Sequence, residues 1–279
     1  RNANISFSIK TVGNPDNDYA GIVTNANPFL YRIVQDGEDP GDPSANLDTD
    51  GDSQLAISEN LSNTIINDRG YIIEASDVIY VSVRFRSSLP NQYQAGALVS
   101  KGLSALGTQF RVGGMATENN NSPGGFLTYT SVMATEDDTN ISFEDFPTGI
   151  TIINHTGSTP INVNLSEGES YMIAVGSNNG GIPNDLIGSL VSSDKPIVVN
   201  SGSGTGSFAD GSSGRDFGID QIVDFSKVGN EYIFVKGNGG ATGNSWENVL
   251  VVAHQDNTDI FIGANTTVEA TINAGEWYV

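Results

Sequence analysis

Four short motifs occur twice along this chain, in the same order and about 107 to 122 residues apart. The first set occupies residues 76–81, 106–110, 134–141 and 168–171, and the second set occupies residues 193–199, 228–232, 253–260 and 275–278. Ordered matches with small drifts in spacing indicate a duplication followed by loop insertions. Repeated β units build extended surfaces more often than they build a single catalytic cleft, so the pattern constrains architecture more than chemistry.

The segments within and between these motifs have the composition of short strands. They are rich in β-branched and aromatic residues, and Gly, Asn, Asp or Pro bound them. The predicted strands are 71–73, 78–85, 110–112, 126–133, 141–143, 150–153, 161–165, 171–175, 197–199, 232–235, 249–253 and 259–262. We therefore predict an all-β, antiparallel fold in which two related repeats of about 115 residues form tandem sandwich-like units, with a propeller-like arrangement as the alternative.

The motif spacing divides the chain into three regions. Residues 1–75 match the repeat poorly and form an N-terminal β region with an acidic loop at 36–59. Residues 76–192 are the first unit and residues 193–279 are the second. The repeat order calls for another Ser-Asp-Lys-Pro-like strand after Tyr278-Val279, so we expect the second unit to be truncated, or its final strand to pair elsewhere.

The charge balance disfavours two classes of partner. Lys plus Arg total 12 against 33 Asp plus Glu, which gives a net charge of -21. A charge this negative disfavours nucleic acid and anionic membrane surfaces, because either contact adds repulsion to desolvation.

No apolar run approaches the roughly 18 residues of a membrane span. The chain has no cysteine, so disulfides and cysteine nucleophiles are excluded.

An acidic segment carries the sharpest local signal for a metal. Residues 48–59 read Asp-Thr-Asp-Gly-Asp-Ser-Gln-Leu-Ala-Ile-Ser-Glu, which is close to the ligand order of an EF-hand-type calcium loop. Ser53 stands where such loops have Gly, and a solvated acidic loop is the alternative interpretation. The predicted calcium ligands are Asp48, Asp50, Asp52, Gln54 and Glu59.

The sequence contains only weak evidence for a catalytic site. His155 and His254 are the only histidines, and no Gly-x-Ser-x-Gly elbow is present. The equivalent of His254 in the first repeat is Thr135, which argues against a shared catalytic role. A glycosidase-type pair of carboxylates, one acting as acid and one as base, stays an alternative, because 33 acidic residues offer many spatial pairs.

One family resembles the chain in several of these motifs. Ser192-Ser193-Asp194-Lys195-Pro196-Ile197-Val198-Val199-Asn200-Ser201-Gly202, Ala134-Thr135-Glu136-Asp137-Asp138-Thr139 and Leu165-Ser166-Glu167-Gly168-Glu169 are similar to the domain named for the N-terminal region of the mucin-associated IgG-Fc-binding protein. Residues 95–102 and 246–250 look most like its bacterial members. The resemblance runs from about residue 60 to the end.

That resemblance implies an extracellular or cell-surface protein. The bacterial members occur in large surface proteins of gliding bacteria that the type IX secretion system exports. We therefore expect a non-enzymatic adhesin or structural module, stabilised by calcium, that binds glycan or protein partners or further copies of itself. A secreted carbohydrate-active hydrolase with paired carboxylates is the alternative.

Overall fold

The computed structural model describes residues 4–31, 57–87, 94–114, 127–176, 186–206, 216–235, 249–264 and 266–279. These residues contain short 3₁₀ helices and no α-helix. In chain order the strands are β1 (Ile5–Thr11), β2 (Tyr19–Val23), β3 (Ile65–Ile66), β4 (Tyr71–Ala75), β5 (Ser82–Ser87), β6 (Gln94–Val99), β7 (Gly107–Arg111), β8 (Leu127–Ala134), β9 (Thr139–Glu144), β10 (Ile161–Leu165), β11 (Ser170–Gly176), β12 (Leu190–Gly206), β13 (Asp216–Gln221), β14 (Val251–Val252), β15 (Thr258–Ile260), β16 (Ala270–Ile272) and β17 (Trp277–Tyr278).

The strand pairs that the structure describes are antiparallel, which confirms the predicted fold class. Eight strands form one nearly closed, barrel-like sheet in the order β10-β9-β12-β8-β11-β3, with β7 and β13 also paired to β12. A smaller sheet has the order β2-β1-β4, and β5-β6, β14-β17 and β15-β16 are two-stranded pairs. The long strand β12 therefore organises the main sheet, because four strands pair along its length.

Alternating side chains of the main sheet form the core. Val132 and Ala134 of β8 point inward together with Ile141 and Phe143 of β9, as the two-residue period of a strand requires. Phe143 of β9 and Val191 of β12 are fully buried. Each buried aliphatic or aromatic side chain of this kind contributes about 1.5–3 kcal/mol to folding, so the barrel-like sheet is the main source of stability.

Two turns share one hydrogen-bonding pattern. Thr139 Oγ1 donates to the carbonyl of Glu136 at 2.7 Å, and Thr258 Oγ1 donates to the carbonyl of Gln255 at 2.8 Å. Asp138 and Asn257 both have a φ of 56°, a left-handed conformation that Asp and Asn tolerate. The sequence predicts hairpins here. The first turn instead connects two strands that both pair with β12, so it is a bend and not a hairpin.

Two predicted strands are wrong in part or in full. The segment predicted at 78–85 becomes a strand only from Ser82, and the segment predicted at 232–235 forms no strand. Val78 and Ile233 are each 85% exposed. Both segments have strand-like composition, but among the described residues they have no neighbouring strand with which to form a ladder. Similarly, the segment predicted at 150–153 makes only one isolated bridge, between Ile152 and Val175.

Within the part of the chain that the structure describes, no helix has the length and apolar character needed to cross a membrane.

Candidate binding site

The predicted calcium loop falls largely outside the described residues. Asp48, Asp50, Asp52 and Gln54 lie in the segment 32–56, about which the structure gives no description. Glu59 is described, and it begins the short 3₁₀ helix Glu59–Leu61 with its side chain exposed. In the described ranges no group of three or more His, Asp or Glu side chains is placed to hold a metal ion. The calcium site therefore stays a prediction.

A depression opens where the main sheet meets the C-terminal strands. Its volume is about 490 Å³, and we refer to it as the junction depression. Three residues come from the main sheet's loops and five from the C-terminal segment: Asp145, Pro147, Ile187, Ile272, Ala274, Gly275, Glu276 and Trp277. The depression thus belongs to neither part alone.

Arg111, at the end of β7, connects two loops of the main-sheet wall of this depression. Its Nη1 atom donates to Asp145 Oδ2 at 2.8 Å and to the carbonyl oxygen of Gly188 at 2.9 Å. The Arg111 side chain is only 10% exposed, so the ion pair with Asp145 is shielded from solvent on one side. Such a pair fixes the orientation of the carboxylate more firmly than a fully exposed pair does.

Two carboxylates of the depression are held in place with one oxygen available. Asp145 Oδ2 accepts from Arg111, and Glu276 Oε2 accepts from the backbone N–H of Asn273 at 2.7 Å. The second oxygen of each carboxylate makes no hydrogen bond among the described residues. Trp277 lines the same depression and is 39% exposed. The arrangement offers hydrogen-bond acceptors beside an aromatic ring.

Behind the depression, His254 stacks on Phe225 with ring centroids 3.6 Å apart. Burial lowers the pKa of His254, and the nearby positive charge of Arg111 lowers it further, while Asp224 and Asp145 oppose the change. Its Nδ1 atom is buried without a hydrogen-bond partner in the described structure. His254 is therefore neutral at physiological pH and acts as a packing residue, as its position in the repeat predicts.

Asp224 precedes the 3₁₀ helix Phe225–Lys227 and connects that helix to β7. Its carboxylate accepts from the backbone N–H groups of Thr108, Gln109 and Ser226 at 2.8, 3.0 and 2.8 Å. Burial raises the pKa of Asp224, but these hydrogen bonds outweigh it, and the pKa lies below its ordinary value. A β-carbon on Gly107 would lie 2.1 Å from this carboxyl group, so the strand approaches closely only because residue 107 is Gly.

A second depression, of about 560 Å³, lies on the outer face of β9, β10 and β12. Its polar groups largely satisfy one another. Asp194 accepts from both the backbone N–H and the Nδ2 of Asn140, at 2.8 and 2.7 Å, and these bonds lower the pKa of Asp194. Asn164 Nδ2 donates to Asp138 Oδ1 at 2.8 Å. We interpret this network as one that stabilises the pairing of β12 with β9 and connects β10 to the bend after β8.

The sequence interpretation missed the junction depression. Asp145 and Trp277 belong to no recognised motif of catalysis or binding, and they are 132 positions apart. One signal was available: the fourth motif repeats Gly-Glu-x-Tyr, and its variable residue is Ser170 in the first copy and Trp277 in the second. A large aromatic residue in place of a small polar one indicates that this position has a different role in each copy.

One protein family matches most of the described chain. The model of the family described as IgGFc binding protein matches residues 96–279, about two thirds of the sequence. The match includes both sets of carboxylate-bearing turns and all eight residues of the junction depression. No curated protein and no solved structure matches the chain. The family match is extensive enough to decide membership, and the chain belongs to the IgGFc binding protein family.

Proposed function

We propose that this chain is a non-enzymatic extracellular module that binds glycan in the junction depression. The observation that carries the proposal is the placement of Trp277 beside the carboxylates of Asp145 and Glu276. The apolar face of a sugar ring stacks on an indole ring, and sugar hydroxyls donate to carboxylate oxygens. The family match supports a binding role, since the family is described as a binding protein.

The charge of the site narrows the class of glycan. Two carboxylates line the depression, and the whole chain has a net charge of -21. Sulfated or carboxylated sugars would be repelled, whereas neutral and amino sugars would not. We therefore expect neutral or amino-sugar oligosaccharides to bind best.

Calorimetric titration with a panel of neutral, amino and acidic oligosaccharides tests the proposal. Trp277→Ala should weaken binding about tenfold through loss of ring stacking. Glu276→Gln, which retains an acceptor for the N–H of Asn273, should weaken binding less. Tyr232→Ala is the matched control, because Tyr232 is an aromatic residue that is 63% exposed elsewhere. Binding that survives Trp277→Ala unchanged would remove the depression as the site.

Binding to the Fc region of IgG is a second candidate function, because the family description names it. Immobilised Fc fragments tested by surface plasmon resonance would decide it. Saturable binding with 1:1 stoichiometry would support it. Competition by the oligosaccharides would then place both ligands on one surface, and absence of any Fc signal would leave the glycan as the preferred ligand.

The hydrolase alternative is favoured only by the two carboxylates that share the depression. A hydrolase releases new reducing ends from the oligosaccharides that it binds, whereas a binding module returns its ligand intact. Incubation of bound oligosaccharides followed by a reducing-end assay separates the two. Release that disappears in Asp145→Asn and Glu276→Gln would establish the enzyme.

The wider setting of the proposed module follows from the resemblance of its motifs to bacterial surface proteins. We propose a cell-surface adhesin exported by the type IX route and associated with gliding motility. We also propose that the loop at 48–59 binds calcium and stiffens the N-terminal region, with Glu59 joining the loop to the described structure.

A further inference from the structure

The junction depression and the second depression lie along one face of the main sheet, its outer face. Glu144 of β9, Leu190 of β12 and Arg111 of β7 are directly opposite one another in their ladders, so their side chains point to the same side. The neighbouring residues Phe143 and Val191 point to the other side, into the core. The Arg111 ion pair beside the junction depression is therefore on the face that carries the second depression.

Glu144 connects the two depressions. Its Oε1 atom accepts from Ser192 Oγ at 3.0 Å, and Ser192 lines the second depression. The next residue of the chain, Asp145, lines the junction depression. At about 3.3 Å per residue, the path along β9 from Asn140 to Asp145 covers about 17 Å. The two depressions are therefore neighbouring parts of one surface.

Polar side chains line the path beside the junction depression, and we call this group the outer strip. Its members come from β9, β10 and β12: Asn140, Ser142, Glu144, Asn162, Ser192 and Asp194. Asn162 is exposed, and its amide makes no hydrogen bond among the described residues. The Oε2 atom of Glu144 likewise has no partner in the described ranges. The outer strip thus presents unused donors and acceptors over a width of three strands, about 10 Å.

Hydrogen bonds within the outer strip fix several of its side chains in place. Asn140 donates to the two oxygens of Asp194, at 2.8 and 2.7 Å. Its own Oδ1 atom accepts from Asn164 Nδ2 at 3.0 Å. Side chains that are already ordered lose less conformational entropy when a ligand binds. This surface can therefore bind an extended ligand at a small entropic cost.

The charge of the path is negative along its length. Carboxylates lie in both of its parts, in the outer strip Asp194 and Glu144, and in the junction depression Asp145 and Glu276. Two neighbouring cations are already engaged, because Arg111 donates to Asp145 and Lys195 donates to the backbone carbonyl of Asp137. Successive carboxylates attract a ligand that carries several positive charges and repel a polyanion.

We propose that the outer strip and the junction depression together bind one linear polysaccharide chain whose sugar units carry free amino groups. This inference rests on the proposed glycan binding and extends it. Trp277 stacks on one sugar ring, and the following units lie along the outer strip. Amines and hydroxyls of the chain donate to Glu144 and Asp194, while the Asn162 amide offers both a donor and an acceptor. Acetylation of the amines removes the positive charge that this acidic path attracts.

Calorimetric titration with the disaccharide and the hexasaccharide of glucosamine, and with the same oligomers of N-acetylglucosamine, tests the length and the charge of the ligand. We expect the glucosamine hexasaccharide to bind at least about tenfold more tightly than the disaccharide, because only the longer chain reaches the outer strip. Added salt should weaken its binding by screening the charges. An acetylated hexasaccharide that binds as tightly as the amine form would overturn the proposal.

Asn162→Lys tests the outer strip without removing a described contact, because Asn162 is exposed and unpartnered in the described structure. The added positive charge should weaken binding of the glucosamine hexasaccharide about tenfold and leave the disaccharide unchanged. Asp194→Asn should weaken hexasaccharide binding about threefold, as expected for loss of one exposed ion pair. Asp220→Asn is the matched control, since Asp220 is an exposed acid on β13. Circular dichroism confirms that each variant folds.

The outcomes distinguish this inference from the proposed function. Disaccharide binding that Trp277→Ala weakens, together with a hexasaccharide that binds no more tightly, would retain the junction depression as a site and overturn the role of the outer strip. Hexasaccharide binding that Asn162→Lys leaves unchanged would also overturn that role. Absence of binding by every oligomer would overturn both proposals.

Discussion

A β-carbon added to Gly188 would lie 1.9 Å from the carbonyl oxygen of Gly275, so these two glycines bring the main sheet and the C-terminal strands into backbone contact. Gly188 has a φ of +91° and Gly275 a φ of +80°, conformations that side chains disfavour. Arg111 closes the contact by donating to the Gly188 carbonyl. A side chain at residue 188 would not fit this contact, which adjoins the junction depression at Gly275.

Gly188→Ala should therefore lower the free energy of unfolding by about 3 kcal/mol, from a steric clash with backbone together with left-handed strain. Gly263→Ala is the control, because Gly263 has a φ of +65° and no atom within 4 Å of an added β-carbon. It should cost only about 1 kcal/mol. Urea denaturation measures both values, and equal losses would show that the Gly188–Gly275 contact is not tight.

Asp224→Asn should lower the free energy of unfolding by about 2 kcal/mol near neutral pH, because a buried carboxylate loses charge-assisted hydrogen bonds from three backbone N–H groups. The pKa of Asp224 is lower in the folded protein than its ordinary value of 3.8. Its contribution is therefore complete above that value and is lost as the pH falls through the folded pKa.

Denaturation at pH 7 and at about pH 3 checks this dependence. The difference between the wild type and Asp224→Asn should shrink at the acidic pH. Asp220→Asn is the control, since Asp220 is an exposed partner of Lys101 and should matter little. A difference that stays constant with pH would mean that the Asp224 charge does not contribute.

His254 should make stability fall between about pH 7.5 and pH 5.5. Its pKa is lower in the folded protein than the ordinary 6.5, owing to burial and then to Arg111, so the folded state binds the proton less readily than the unfolded state. Stability is complete above the unfolded pKa and declines as the pH falls below it. His254→Phe should flatten this slope, as followed by melting temperature.

Calcium at millimolar concentration should raise the melting temperature, and a chelator should lower it, if the loop at 48–59 is the site that its ligand order predicts. Asp50→Ala should abolish the response by removing a central ligand. Asp16→Ala is the control, because Asp16 is an exposed acid in a different turn. A melting temperature indifferent to both calcium and chelator would reject the site.

Local patterns predicted many of the strands, because alternating apolar residues and turn residues act over short distances. The bends at Asp138 and Asn257 are examples, since Asp and Asn tolerate the left-handed backbone that such turns need. The same local reasoning placed strands at 78–81 and 232–235, where composition favours a ladder but no partner strand is adjacent among the described residues. A strand forms only with a neighbour, and neighbours are a property of the whole fold.

The candidate site was beyond prediction for a related reason. Asp145 and Trp277 are far apart in the chain, and tertiary contacts such as that of Gly188 with Gly275 bring their segments together. The number of acidic residues predicts that some of their side chains lie close together in space. It does not predict which ones do. The calcium ligands were predicted from contiguous spacing, and four of the five lie outside the described residues.

The amino-acid sequence alone determined that this protein is an antiparallel all-β chain, acidic, free of cysteine and marked by two ordered sets of motifs. Those properties follow from residue type and short-range spacing. Tertiary structure alone decided that β12 completes the first set by pairing with both β8 and β9. The reason is physical: backbone hydrogen bonds between strands have no sequence code of their own, so which edges meet depends on how the whole chain packs.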